Sequence, residues 1–98
     1  MPDRTPLSEE EVQTALNSLN GWTFHDDAIH KSYEFADFKE AIAFIVHMAF
    51  YAEDANHHPE LENVYNTVDL TFTTHDAGGK VTQLDTDLAR TIDESFGA

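Results

Sequence analysis

Apolar and polar positions alternate along the chain in segments of two different periods. Val12, Ala15, Leu16 and Leu19 recur at helical spacing and predict a first helix. Ser8 opens it, followed by Glu9, Glu10 and Glu11. The serine hydroxyl can accept from a free N–H, and Glu11 stands at the reciprocal position of a capping box. Asn20-Gly21 offers a left-handed stop. Trp22 and Phe24 then alternate with polar neighbours, and Asp26-Asp27-Ala28 reads as a turn. Ile29, Lys31, Tyr33 and Phe35 alternate with His30, Ser32 and Glu34, so a β-hairpin is predicted here.

The second helix has the clearest pattern. Asp37 can cap it, and Phe38, Ile42, Ile45, Met48, Ala49 and Ala52 form one stripe. Ala41, Phe44, Val46 and Phe50 widen that stripe beyond what a small sheet would cover. Two readings follow: a fully buried central helix, or one that turns part of its surface to another subunit. Asn56 to Pro59 ends the helix. From Asn63 to His75 the period is two, with Val64, Asn66, Val68, Leu70, Phe72 and Thr74 on one face. This is one long strand, or a short strand running into a longer one. Asp76-Ala77-Gly78-Gly79 reads as a turn. Thr82, with Asp85 three residues on, opens a last helix carrying Leu84, Leu88 and Ile92. Helix, strand, strand, helix, strand region, helix predicts an α+β fold, an antiparallel sheet covered by helices on one face.

Length and composition narrow the function. A chain of 98 residues holds one core, so residues 1–98 form a single domain, with 1–6 as a loose leader. Nineteen Asp and Glu against five Lys and Arg give a net charge of -14. Nucleic acid is excluded as a partner, because phosphate binding needs clustered cations. An anionic membrane surface is excluded for the same reason, and no apolar run approaches the roughly 20 residues of a membrane span. Met1-Pro2-Asp3-Arg4 lacks the basic-then-apolar layout of a secretion signal. There is no cysteine, hence no disulfide framework and no thiolate chemistry. A cytoplasmic setting is expected. The acid excess is self-repulsive in dilute buffer and leaves two readings: a halophilic source, where concentrated salt screens it, or a merely acidic mesophile protein.

Candidate chemistry centres on His57-His58, Pro59, Tyr65, His75 and Asp85. An ordinary imidazole both gives and takes protons near neutrality. Each residue also has a plain structural reading. A histidine at a helix C-terminus favours the dipole by about 0.3–1 kcal/mol, Pro59 stops a helix, and Asp85 caps one. His25, His30 and His47 read as scattered surface or interface residues. Three histidines could hold zinc, but no His-x-His or H-E-x-x-H spacing is present. Gly78-Gly79 is an isolated pair without the Lys-Ser/Thr pattern of a phosphate-binding loop, and no serine sits in a nucleophile elbow.

Four segments, Glu53-Asp54-Ala55-Asn56-His57-His58-Pro59, Asn63-Val64-Tyr65-Asn66, Thr73-Thr74-His75-Asp76 and Asp85, resemble the pterin-4a-carbinolamine dehydratase family. The stretches Leu7-Ser8 to Gly21-Trp22 and Phe35 to Phe44 are similar to its opening and central helices. The resemblance covers nearly the whole chain. It implies a four-stranded antiparallel sheet with three helices on one face, and a homodimer or homotetramer. It implies loss of water from a 4a-hydroxytetrahydropterin to give the quinonoid dihydropterin, without metal or organic cofactor. The alternative is a non-catalytic pterin-binding or dimerisation module on the same fold.

Carried over, the resemblance makes His57, His58, His75 and Asp85 catalytic. Glu53, Asn56, Pro59, Thr73, Thr74 and Asp76 would contact substrate. His57 and His75 would move protons, His58 would orient the substrate or a neighbour, and Asp85 or Glu53 would fix a tautomer. Three departures are visible. Lys80 lengthens the turn between His75 and Asp85, Leu61 stands where the family commonly has Trp, and Asn56 replaces an Asp of some relatives.

Overall fold

The structure is a computed structural model and describes residues 5–96. Of the expected leader, residues 1–4 lie outside that range; Thr5 and Pro6 belong to no helix or strand. The elements are α1 (Glu9–Leu16), β1 (Thr23–His25), β2 (Ala28–Glu34), α2 (Phe38–Ala55), β3 (Glu60–Val64), β4 (Thr67–Phe72) and α3 (Gln83–Phe96), with a 3₁₀ turn at His75–Ala77. One antiparallel sheet forms in the order β1-β2-β4-β3. The fold is α+β, three helices and a four-stranded open sheet.

Local chemistry sets most boundaries. The Ser8 hydroxyl accepts from Glu11 N–H while the Glu11 carboxylate accepts from Ser8 N–H, so the capping box of α1 is complete. The helix stops at Leu16, before the expected Asn20-Gly21. The chain then tightens into i→i+3 bonds, Ser18 N–H to Ala15 and Leu19 N–H to Leu16, which turn Leu19 into the core. Asp26 and Asp27 both have positive φ, 54° and 58°. That is the twist a two-residue hairpin loop requires. Asp37 caps α2 by accepting from Glu40 N–H, and Asn56 ends it in the left-handed conformation at φ 50°.

Residues 63–75 are not one strand. A two-residue turn at Tyr65-Asn66 folds them into the β3–β4 hairpin, with Asn63 opposite Val68. The Asn63 amide braces the turn by donating to Thr67 O at 2.8 Å and Tyr65 O at 3.2 Å. Because the turn holds two residues, the inward parity switches from odd in β3 to even in β4. Val68, Leu70 and Phe72 are therefore buried, while Val64 faces outward and is exposed. Leu61 lies opposite Leu70 on the helix side, yet stays exposed because β3 is an edge strand.

One face of the sheet carries the core: Ile29 and Tyr33 of β2 and Val68, Leu70 and Phe72 of β4. α2 packs on β4 and α3, and α1 packs on α3 and β1. The buried stripe of α2 is Ala41, Phe44, Met48 and Ala52, which shares only Met48 and Ala52 with the stripe expected. Phe38, Ile42, Val46 and Phe50 form an exposed ridge instead. The fully buried central helix is thus ruled out for the single chain.

A buried polar cluster ties α3 to the sheet. Asp93 accepts from Trp22 Nε1 at 2.8 Å, Tyr33 OH at 2.7 Å and Lys31 Nζ at 3.1 Å. Lys31 also donates to Asn20 O. The inward position of Lys31 in the β2 alternation was the sequence signal for an acid partner. Which acid it meets depended on the packing of α3.

Candidate active site

Two chain segments converge at one end of the sheet. The left-handed turn at Asn56 sends the chain off α2, and His57 N–H closes the helix end on Ala52 O. This throws His57 inward and His58 outward. The second segment leaves β4 at Phe72. Thr74 N–H bonds Lys80 O, and Thr74 O receives Gly79 N–H and Ala77 N–H, so residues 74–80 form a closed loop carrying His75. Gly78 and Gly79 take φ of 76° and 75° with open space around them, which lets the loop turn back after its 3₁₀ turn.

Between the segments lies a cavity of about 300 Å³, lined by His57, His58, Pro59, Glu60, Thr73, Thr74, His75 and Asp76. That volume is at the lower end for small-molecule sites. His57, His58 and His75, which the resemblance makes catalytic, all line this cavity. Glu60 also lines it; as the first residue of an edge strand it carries no sequence signal.

The imidazoles differ in environment. His57 is buried, its ring stacked over Phe72 at 6.0 Å between centroids, and its Nε2 lies 2.5 Å from Asp85 Oδ1. Asp85 is 0% exposed. Its Oδ2 accepts from Thr82 N–H at 2.9 Å and from Thr74 Oγ1 at 2.8 Å. With Asp85 acting as acceptor, His57 donates through Nε2, which leaves Nδ1 without a partner among the described residues. His58 is exposed, with Nε2 2.6 Å from Glu53 Oε1. His75 is exposed at the start of the 3₁₀ turn, and its ring has no hydrogen bond among the described residues.

The remaining expected site residues fall in three positions. Pro59, Thr73, Thr74 and Asp76 line the cavity. Glu53 and Asn56 do not; Glu53 reaches the site only through His58. Asp85 stands behind His57, within reach despite the longer turn at Lys80. The hydroxyls are largely committed: Thr73 Oγ1 donates to Asp27 O at 3.0 Å, and Thr74 Oγ1 to Asp85. His25 and His30 are a stacked pair, 3.8 Å between centroids, rather than scattered residues. His30 bonds Thr71 Oγ1 and His25 O, on the sheet face away from the helices. Among the described residues no three His, Cys, Asp or Glu side chains are arranged to hold a metal ion.

Such a site can exchange protons with a small polar molecule at two points, a held imidazole and a free one. Fold and site define a small α+β domain with a histidine-lined cavity at one end of its sheet. The sequence profile described as Pterin 4 alpha carbinolamine dehydratase matches residues 5–95, and the chain belongs to that family. A relative from Opitutus terrae, provisionally named pterin-4-alpha-carbinolamine dehydratase, is 48% identical over 90 residues, 92% of this chain and 93% of its own. A relative of the same provisional name from Burkholderia pseudomallei is 51% identical, covering 90% of this chain and 88% of its own. A crystal structure of a transcriptional coactivator/pterin dehydratase from Brucella melitensis superposes with a TM-score of 0.87 at 42% identity, over 92% of this chain and 97% of that one. A pterin dehydratase-like RuBisCO assembly factor of the alpha-carboxysome shares the fold, with a TM-score of 0.63 at 18% identity, over 79% of this chain and 88% of that one.

Proposed function

We propose that the protein is a hydro-lyase that dehydrates a 4a-hydroxytetrahydropterin. The observation that carries this reading is the buried His57–Asp85 pair, whose histidine lines a cavity of about 300 Å³ together with His75, in a chain of this family. His57, its Nε2 proton committed to Asp85, offers Nδ1 as the base that takes the N5 proton. The electrons of that N–H bond form the C4a=N5 double bond. His75 gives a proton to the C4a hydroxyl, which leaves as water. One proton is lost and one supplied, so the balance is a single water. Each such transfer typically contributes roughly 10²–10⁴-fold. His58, held by Glu53, orients the ring, with Pro59, Thr73, Thr74 and Asp76 along the cavity wall. No step calls for a metal or organic cofactor.

The test mixes the protein with synthetic 4a-hydroxytetrahydropterin and follows the quinonoid product by absorbance. Wild type exceeds spontaneous dehydration, His57→Ala and His75→Ala lose most of that advantage, and EDTA changes nothing. Loss of activity in EDTA would favour a metal site instead. Pterin binding without turnover would favour the non-catalytic module, a reading in keeping with the coactivator part of the Brucella protein's description.

The exposed ridge of Phe38, Ile42, Val46 and Phe50 supports a homodimer or homotetramer joined through α2. No helix of the described residues is long and apolar enough to cross a membrane. With the acidic surface and absence of cysteine, this supports a cytoplasmic setting in a salt-rich cell.

A further inference from the structure

Asp85 is held by more than a capping bond, and the hydrogen positions around it can be assigned by elimination. Thr82 N–H donates to Asp85 Oδ2 at 2.9 Å. Thr74 Oγ1 lies 2.8 Å from the same oxygen and donates to it. A hydroxyl has one proton, so the 2.8 Å contact between Thr74 Oγ1 and Thr82 Oγ1 uses the proton of Thr82. Thr82 Oγ1 in turn accepts from Leu84 N–H at 3.2 Å. The result is a one-way chain of donors: Leu84 N–H to Thr82, Thr82 to Thr74, Thr74 to Asp85. It begins at the first turn of α3, where unpaired N–H groups are plentiful. Thr74, Thr82 and Asp85 are 2%, 0% and 0% exposed, so water does not replace these bonds.

We propose that Thr74 and Thr82 are positioning residues for His57. This rests on the dehydratase reading for its catalytic consequence, although the structural part stands without it. Two donors fill Asp85 Oδ2, which stops the carboxylate from turning. Only Oδ1 is left for His57 Nε2. The imidazole is thereby fixed in one tautomer and one orientation, with Nδ1 as its free atom. Chains of this kind strengthen their last bond cooperatively. Thr74 also precedes His75, so the same hydroxyl ties the loop bearing one imidazole to the carboxylate holding the other.

The test compares Thr74→Val, which keeps the shape and removes the donor, with Thr74→Ser, which restores it. In ¹⁵N-histidine-labelled protein the His57 Nε2 proton gives a far-downfield NMR resonance, assigned by its loss in His57→Gln. Thr74→Val moves that resonance upfield or broadens it away, and Thr74→Ser keeps it. In turnover, Thr74→Val lowers kcat by roughly tenfold, the scale of one hydrogen bond to a charged group, with KM little changed; Thr74→Ser recovers most of the rate. If Thr74→Val does not fold, Thr82→Ala serves, with a smaller change in the same direction. A folded Thr74→Val protein whose resonance is unmoved, or whose kcat is intact, overturns the proposal. If wild type turns over no pterin, the dehydratase reading fails alone and the resonance still decides.

Discussion

His57 and Asp85 are 28 residues apart in sequence and 2.5 Å apart in space, Nε2 to Oδ1. The pair joins the end of α2 to the start of α3. Replacing Asp85 by Asn keeps the shape but removes the charge, and an amide nitrogen turned toward His57 or Thr82 would face another donor. Asp85→Asn is therefore expected to lower kcat by roughly 10²-fold or more, the range for general acid–base groups. It should also lower Tm, because two buried donors lose part of their acceptor. His75→Ala, at an exposed position, is expected to lose comparable activity at unchanged Tm. Stopped-flow dehydration assays and thermal melts separate the two behaviours.

Asp93 gathers three donors, Trp22, Lys31 and Tyr33, inside the core. Asp93→Ala leaves the Lys31 ammonium, whose side chain is only 9% exposed, without its partner. The expected loss is about 3–5 kcal/mol in urea unfolding. The double variant Asp93→Leu with Lys31→Met should recover only part of it: the uncompensated charge is removed, but Trp22 Nε1 and Tyr33 OH still lack their acceptor.

Tyr33 sets an alkaline limit. Burial pushes its phenol well above the usual range, and the hydrogen bond to Asp93 and that residue's negative charge push it further. The folded state therefore keeps the phenol proton at pH values where the unfolded chain releases it. The sign follows: this stabilisation is complete below the ordinary phenol value near 10 and is lost as pH rises above it. Unfolding free energy measured from pH 8 to 11 should fall above pH 10. Tyr33→Phe should remove that part of the slope.

Glu62 and Asp69 sit directly opposite each other across β3 and β4, both exposed. Like charges so placed oppose strand pairing, by up to about 1 kcal/mol. Molar KCl, with a Debye length of about 3 Å, is expected to raise Tm. Glu62→Lys should raise Tm in dilute buffer and shrink the gain from salt. A melting temperature indifferent to KCl would refute the halophilic reading.

Local rules were legible in the sequence because they act over three or four residues. The capping box at Ser8 and Glu11, the Asp37 cap, the β1–β2 hairpin and the α+β class all follow from side chains that meet their own neighbours. The His-His-Pro and Thr-His segments were equally visible, since a family resemblance is a property of order along the chain. Tertiary structure decided what depends on parity and distance. A two-residue turn and an unbroken strand have the same period, so only strand pairing could place Val64 outside and Val68 inside. The face of α2 that meets β4 depends on how the helix is rotated, which a wide apolar arc leaves open. Whether Asp85 merely capped its own helix or also reached His57 rested on the close approach of two helix ends, and no spacing within either segment encodes that approach.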